Sequence, residues 1–230
     1  MTETELRQKV VSTALAWLGT REYSAKHQEM LDIYNAQRPL PRGTRMLALW
    51  PWCAAFVSTV SLQCGLRDIM PTECGCPGMV RLYQEIGRWA EDDAYIPSPG
   101  DVIFYDWQDT GYGDNAGQPD HVGIVTACDG QTMTIIEGNC DNAVKTRSLA
   151  VNARFIRGYG VPDFASKADD AEPQPEPEKP AEETTVDPFI TKTAREVING
   201  KWGNGQARKD ALAAWFIKAV QDEVNRILGV

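Results

Sequence analysis

Apolar positions recur at three- and four-residue spacing through about the first 90 residues and at alternating spacing over residues 101–161, so helices are expected first and strands after them. Leu6, Val10, Ala14 and Trp17 share one face of a helix predicted from Glu3 to about Leu18, with Gly19 placed to end it. A second helix is predicted over Ser24–Gln37, with Met30, Ile33 and Tyr34 inward, before Pro39, Pro41 and Gly43 impose a loop. Trp50-Pro51-Trp52-Cys53 opens a third, Cys53 to about Cys64, with Phe56, Val57 and Val60 inward; a fourth is predicted over Pro77–Trp89. Beyond Pro97-Ser98-Pro99-Gly100, strands are predicted at Asp101–Trp107, His121–Ala127, Met133–Glu137 and Phe155–Val161, with Asp129-Gly130 as a hairpin turn. Helices followed by consecutive antiparallel strands describe an α+β domain, here residues 1–164.

The pattern then fails and returns. Residues 166–188 hold five prolines, eight acidic residues and a single branched aliphatic, Val186, too little apolar surface for a core. Residues 165–188 therefore read as a solvated linker, spanning about 70 Å if it is polyproline-like. From residue 189 helical spacing resumes: Ile190, Ala194, Val197 and Ile198, a turn-rich Asn199–Gly205 loop, then Leu212–Trp215 and Ile217–Leu228. Residues 189–230 are expected to form a small all-α unit of three helices, near the lower size limit for independent folding.

Charge follows the same division. Residues 1–164 carry 20 acids against 14 Lys/Arg, the linker 8 against 2, and the tail 4 against 7. An acidic main body offers no basic face for displacing phosphate counterions, so nucleic acid is not an expected partner. No run approaches the 18 or so apolar residues of a membrane span, so no membrane insertion is expected. The mildly basic tail suits an anionic polymer.

Six cysteines, at positions 53, 64, 74, 76, 128 and 140, lack the paired spacing of a zinc site, and reduced thiols are the expected state, with a disulfide among Cys64, Cys74, Cys76 and Cys140 as the alternative. A catalytic cysteine must be a thiolate, which a helix N-terminus and a nearby imidazole favour. Cys53 is the one predicted to open a helix; the other five read as mid-element or loop residues, with Cys74-Gly75-Cys76 a surface turn. The only histidines are His27, read as a surface residue on a polar helix face, and His121, at the start of a strand. His121 is the better base, because a strand rim holds a side chain rigidly. Pairing through the Asp129-Gly130 turn would bring Glu137 beside His121, with Asn139 just beyond, so that the carboxylate orients the imidazole. Each residue alone also has a bland reading: a buried small hydrophobe, a strand-end histidine, a turn.

Taken together, Trp52-Cys53-Ala54-Ala55-Phe56-Val57, Pro99-Gly100-Asp101-Val102, Asp120-His121-Val122-Gly123-Ile124-Val125 and Ile136-Glu137-Gly138-Asn139 resemble, in order, the CHAP family of cysteine- and histidine-dependent amidohydrolases/peptidases. The resemblance implies a papain-like α+β fold, Cys53 as nucleophile, His121 as general base, Glu137 as its orienting partner and Asn139 as an auxiliary polar member. Glu196–Gly205 with Arg208, and Val220-Gln221 with Val224-Asn225, resemble a CW-seven cell-wall-binding repeat. That resemblance implies peptidoglycan as partner, contacted through Trp202, Gly203, Asn204 and Arg208. Some phage CHAP domains hold calcium on aspartates before the cysteine; Arg42–Trp50 contains no acid, so no metal and no cofactor are expected. Trp52 stands where those domains often have Gln, removing a side-chain oxyanion donor.

The expected activity is hydrolysis of a peptidoglycan amide, within the peptide stem or cross-bridge, or alternatively at the N-acetylmuramoyl-L-alanine bond. A wall-binding protein with an inactive domain and a cytoplasmic thiol protease are the competing classes. Met1-Thr2-Glu3-Thr4-Glu5 has no basic n-region or apolar stretch. The expectation is therefore synthesis in a host cytoplasm without a signal peptide and action on the wall after release, as a phage or prophage endolysin; export of a toxin or autolysin by another route is the alternative. With one repeat only, dimerisation is a further way to raise wall affinity.

Overall fold

The computed structural model describes residues 1–92, 95–108 and 117–169. The chain divides into two units, Met1–Ala171 and Glu172–Val230. The second unit, in which most of the expected linker, the expected all-α tail and the expected wall contacts Trp202, Gly203, Asn204 and Arg208 fall, lies outside the described residues.

The first unit is α+β. Helices α1 (Glu3–Leu15), α2 (Ala25–Ala36), α3 (Cys53–Cys64) and α4 (Cys76–Glu85) precede strands β1 (Trp89–Ala90), β2 (Val102–Tyr105), β3 (His121–Cys128), β4 (Thr132–Cys140), β5 (Ala143–Ala150) and β6 (Ile156–Gly160). The strands form one sheet in the order β1-β6-β2-β3-β4-β5, and every pairing is antiparallel. A 3-10 turn, Phe164–Lys167, continues past the expected start of the linker, with Phe164 buried beneath the Arg7 guanidinium.

Helix α3 organises this unit. Its residues from Cys53 to Ser61 are all buried, as an all-round apolar helix must be. The polar members are satisfied by carbonyls of neighbouring segments: Ser58 donates to Glu73, Thr59 to Met30 and Ser61 to Met70. Gly65, at φ 71°, ends the helix in the left-handed conformation that glycine tolerates. One sheet face contributes Val102, Phe104, Val122, Ile124 and Ile136 to the core that also contains the buried residues of α3. The other buries Ile103, Tyr105, Val125, Met133, Ile135 and Tyr159. With both faces covered, β2 reads Val-Ile-Phe-Tyr without alternation.

Two expected helices end early because tertiary pairing overrides their periodicity. α1 stops at Leu15, and the Gly19 amide and Thr20 carbonyl instead bond the Val144 carbonyl and amide. α4 stops at Glu85, and Trp89-Ala90 pairs with β6. Strands β1 and β5 were not expected at all. β5 follows β4 through Asp141-Asn142, both at positive φ, the conformation of a two-residue hairpin turn.

Helix α3 approaches the sheet tightly at Gly138. A Cβ there would overlap Phe56 Cβ and stand 3.0 Å from Trp52 Cζ3. Gly138→Ala is therefore expected to lower stability by about 1–3 kcal/mol, the usual range for overpacking, measured as a reduced urea midpoint. An unchanged midpoint would show that α3 and β4 do not rest backbone to ring.

Candidate active site

The cysteine that opens α3 sits at the floor of a cleft of about 430 Å³, whose lining also includes Arg42, Trp50, Cys76, Pro119 and Asp120. Cys53 is the first residue of the helix and is only 4% exposed. The Ala54 backbone amide, at the positive end of the helix, favours its thiolate form. The sulfur's other neighbours are the Cys76 thiol, with Sγ–Sγ 3.7 Å, and the His121 ring. The Cys76 thiol, with the His121 imidazole and the Ala54 amide, outweighs the opposing effect of burial and holds the Cys53 thiol below its ordinary range. Cys76, facing that negative sulfur in a buried position, is pushed well above its own.

His121 begins β3 opposite Tyr105, whose ring stacks on it at 5.9 Å between centroids. Its Nε2 lies 3.3 Å from Glu137 Oε2, which leaves Nδ1 as the nitrogen free to exchange a proton with a sulfur. Glu137 is fully buried on β4. It crosses the strand gap because its register partner is Gly123: a Cβ at residue 123 would stand 2.8 Å from Glu137 Cγ. On its other side Arg147 of β5 binds the carboxylate through Nε at 2.9 and 3.1 Å and Nη2 at 3.0 Å. Burial alone would raise Glu137, but His121 and Arg147 hold it down at about 2. Burial likewise opposes charge on His121, and Cys53 and Glu137 overcome it, raising the imidazole to about 9. These shifts favour a thiolate and an imidazolium anchored on a buried carboxylate, the charge pair by which a sulfur can be activated as a nucleophile.

The structure brings Cys53, His121 and Glu137 together, as their predicted elements required. Asn139 is adjacent on β4 at φ 56°, but its side chain makes no hydrogen bond to the other three. Trp52 is fully buried and its indole donates to Glu22 at 3.3 Å, so this side chain is not directed at the cleft. Two expectations are corrected. His27 is not a surface residue: it is fully buried, 4.7 Å from the Trp52 ring, with Nδ1 accepting the Tyr23 amide. Burial lowers its proton affinity, as an apolar neighbourhood does for a cation. Cys76 is not in a surface turn: it too opens a helix, and its sulfur faces Cys53. Arg147 escaped notice because β5 did; the Asp141-Asn142 turn followed by alternating Val144, Thr146 and Ser148 was the available signal. All six cysteines are free, and no group of three or more His, Cys, Asp or Glu among the described residues could hold a metal.

Fold and site together define an α+β domain with a cysteine–histidine–carboxylate centre. The family model of the CHAP domain matches residues 46–139, which include all four residues of this region, and that of the CW_7 repeat matches residues 192–228. The chain carries a CHAP domain, which implies hydrolase activity of the amidase or peptidase kind, followed by a CW_7 repeat, which implies binding to cell-wall peptidoglycan. No curated protein and no solved structure matches the chain.

The His121 proton has a measurable consequence. Its folded value, about 9, lies above the ordinary 6.5, so it stabilises the fold fully below about pH 6.5 and that contribution disappears as the pH rises through about 9. Glu137 runs the other way: held at about 2 against 4.5, it contributes above about pH 4.5 and is lost as the pH falls through about 2. An NMR titration of the His121 ring is expected to show a midpoint near 9; a midpoint at 6.5 would mean that sulfur and carboxylate do not hold the proton.

Proposed function

We propose that the protein is a peptidoglycan hydrolase that cleaves an amide by cysteine acyl transfer, with Cys53 as nucleophile, His121 as acid–base and Glu137 as the orienting group. The observation that carries this reading is the imidazole anchored on buried Glu137 beside a sulfur at the mouth of α3, on a chain that also holds a wall-binding repeat.

The Cys53 thiolate attacks the amide carbonyl carbon, and the developing oxyanion is stabilised by the Cys53 backbone amide at the helix mouth. His121 Nδ1 gives its proton to the departing amine. The now neutral ring takes a proton from water, which releases the acyl group and restores the thiolate. Glu137 keeps Nε2 protonated throughout and so fixes which nitrogen moves the proton. In this reading Trp202, Gly203, Asn204 and Arg208 contact the wall and raise the local substrate concentration. An amide within the stem or cross-bridge is the proposed target, and the role is that of an endolysin acting on the wall after release from the cell in which it is made.

Cys53→Ala is expected to abolish turbidity loss of purified walls, by a factor of at least about 10³, while leaving sedimentation with those walls intact. Glu137→Gln, which keeps the shape but removes the charge, is expected to lower kcat less severely. Mass spectrometry of the wild-type digest should show new peptide amino termini; released lactyl-sugar ends would instead assign the bond between glycan and peptide. Undiminished turnover by Cys53→Ala would end the proposal.

A further inference from the structure

The cleft floor presents two sulfurs, and acyl transfer uses one. Cys53 and Cys76 are 23 residues apart in sequence, yet their Sγ atoms lie 3.7 Å apart. That gap exceeds the about 2.0 Å of a disulfide bond by less than one atomic diameter. Each is the first residue of its helix, and both line the cleft, so a small solute that reaches one reaches the other. The third cleft cysteine, Cys74, is engaged elsewhere, its sulfur 3.4 Å from Arg42 Nη2.

We propose that Cys53 and Cys76 are a peroxide-responsive modification site, in which Cys76 resolves oxidised Cys53 into a reversible disulfide that switches the hydrolase off. The switching rests on Cys53 being the nucleophile. The Cys53 thiolate attacks one oxygen of hydrogen peroxide, the O–O bond breaks, and hydroxide leaves and is protonated to water. Cys53 is thereby oxidised by two electrons to a sulfenic acid. The Cys76 sulfur attacks the Cys53 sulfur, the S–O bond breaks, and the hydroxyl departs as water with the Cys76 proton. Two equivalents of an external thiol reverse the step, yielding both cysteines and one external disulfide. Its position also explains why Cys76 remains a thiol in the resting state: with a thiolate opposite, it gives up its own proton only with difficulty. Without a resolving sulfur, a sulfenic acid exposed to further peroxide proceeds to sulfinic acid, which external thiols do not reduce.

The test treats the full chain with hydrogen peroxide, blocks free thiols with iodoacetamide, and maps the unreduced digest by mass spectrometry. Expected is a Cys53–Cys76 cross-linked peptide pair, two hydrogens lighter than its separate parts, rising as wall lysis falls; dithiothreitol should reverse both. In Cys76→Ala at the same dose, Cys53 should be recovered as sulfinate, with no activity regained on reduction. Wild type that yields Cys53 sulfinate with Cys76 alkylated, or a bridge to Cys74, would overturn the proposal whether or not the variant folds. A Cys53–Cys76 bridge that forms while lysis continues would remove Cys53 as nucleophile and the switch with it, whereas loss of lysis without that bridge overturns the switch alone, so the two failures are distinguishable.

Discussion

A carboxylate with no access to water holds the site together. Glu137 is fully buried, and a lone charge in that position would be strongly unfavourable; two cations on neighbouring strands make it stable. His121 on β3 and Arg147 on β5 lie on either side, so the row crosses three strands, and the rigid sheet fixes all three side chains at once. Gly123 makes the first crossing possible, because any side chain there would occupy the space of Glu137. Without this anchor the imidazole would have neither a fixed tautomer nor its raised proton affinity.

Helix α3 supplies the other half. Its near-complete burial and its close approach to Gly138 pin the helix mouth against the sheet, so the sulfur and the ring meet without either element needing to move. Three influences converge on the sulfur: the Cys76 thiol, the imidazole and the Ala54 amide. Their sum exceeds the desolvation of a buried thiolate, which is the condition for a cysteine to be both enclosed and reactive. The same enclosure sets a second sulfur opposite the first, so the neighbour that helps to hold the negative charge is also the atom placed to trap an oxidised form.

The α+β order, the start of α3 at Cys53 and the β3–β4 hairpin were legible in the sequence, because each rests on short-range signals: helical spacing, alternation and the Asp129-Gly130 turn. Those signals place Cys53, His121 and Glu137 on elements that can meet. The helix ends after α1 and α4 were less legible, since the backbone groups of residues 19–20 and 89–90 find partners in β5 and β6, far along the chain. His27 shows the limit of periodicity: its flanking Lys26 and Gln28 suggest a wet face, while Trp52, 25 positions away, covers the ring.

By itself, then, the sequence determined which residue types stand at helix mouth and strand start, and so which chemistry is within reach. It also determined that a compositionally distinct segment separates the two modules, since proline and acid content act locally. Only the tertiary structure decided the partners that arrive from elsewhere: Arg147 on Glu137, Cys76 on Cys53, Trp52 over His27. Such contacts depend on register between strands and on how helices stack, and neither is encoded within the span of residues over which a local pattern can be read.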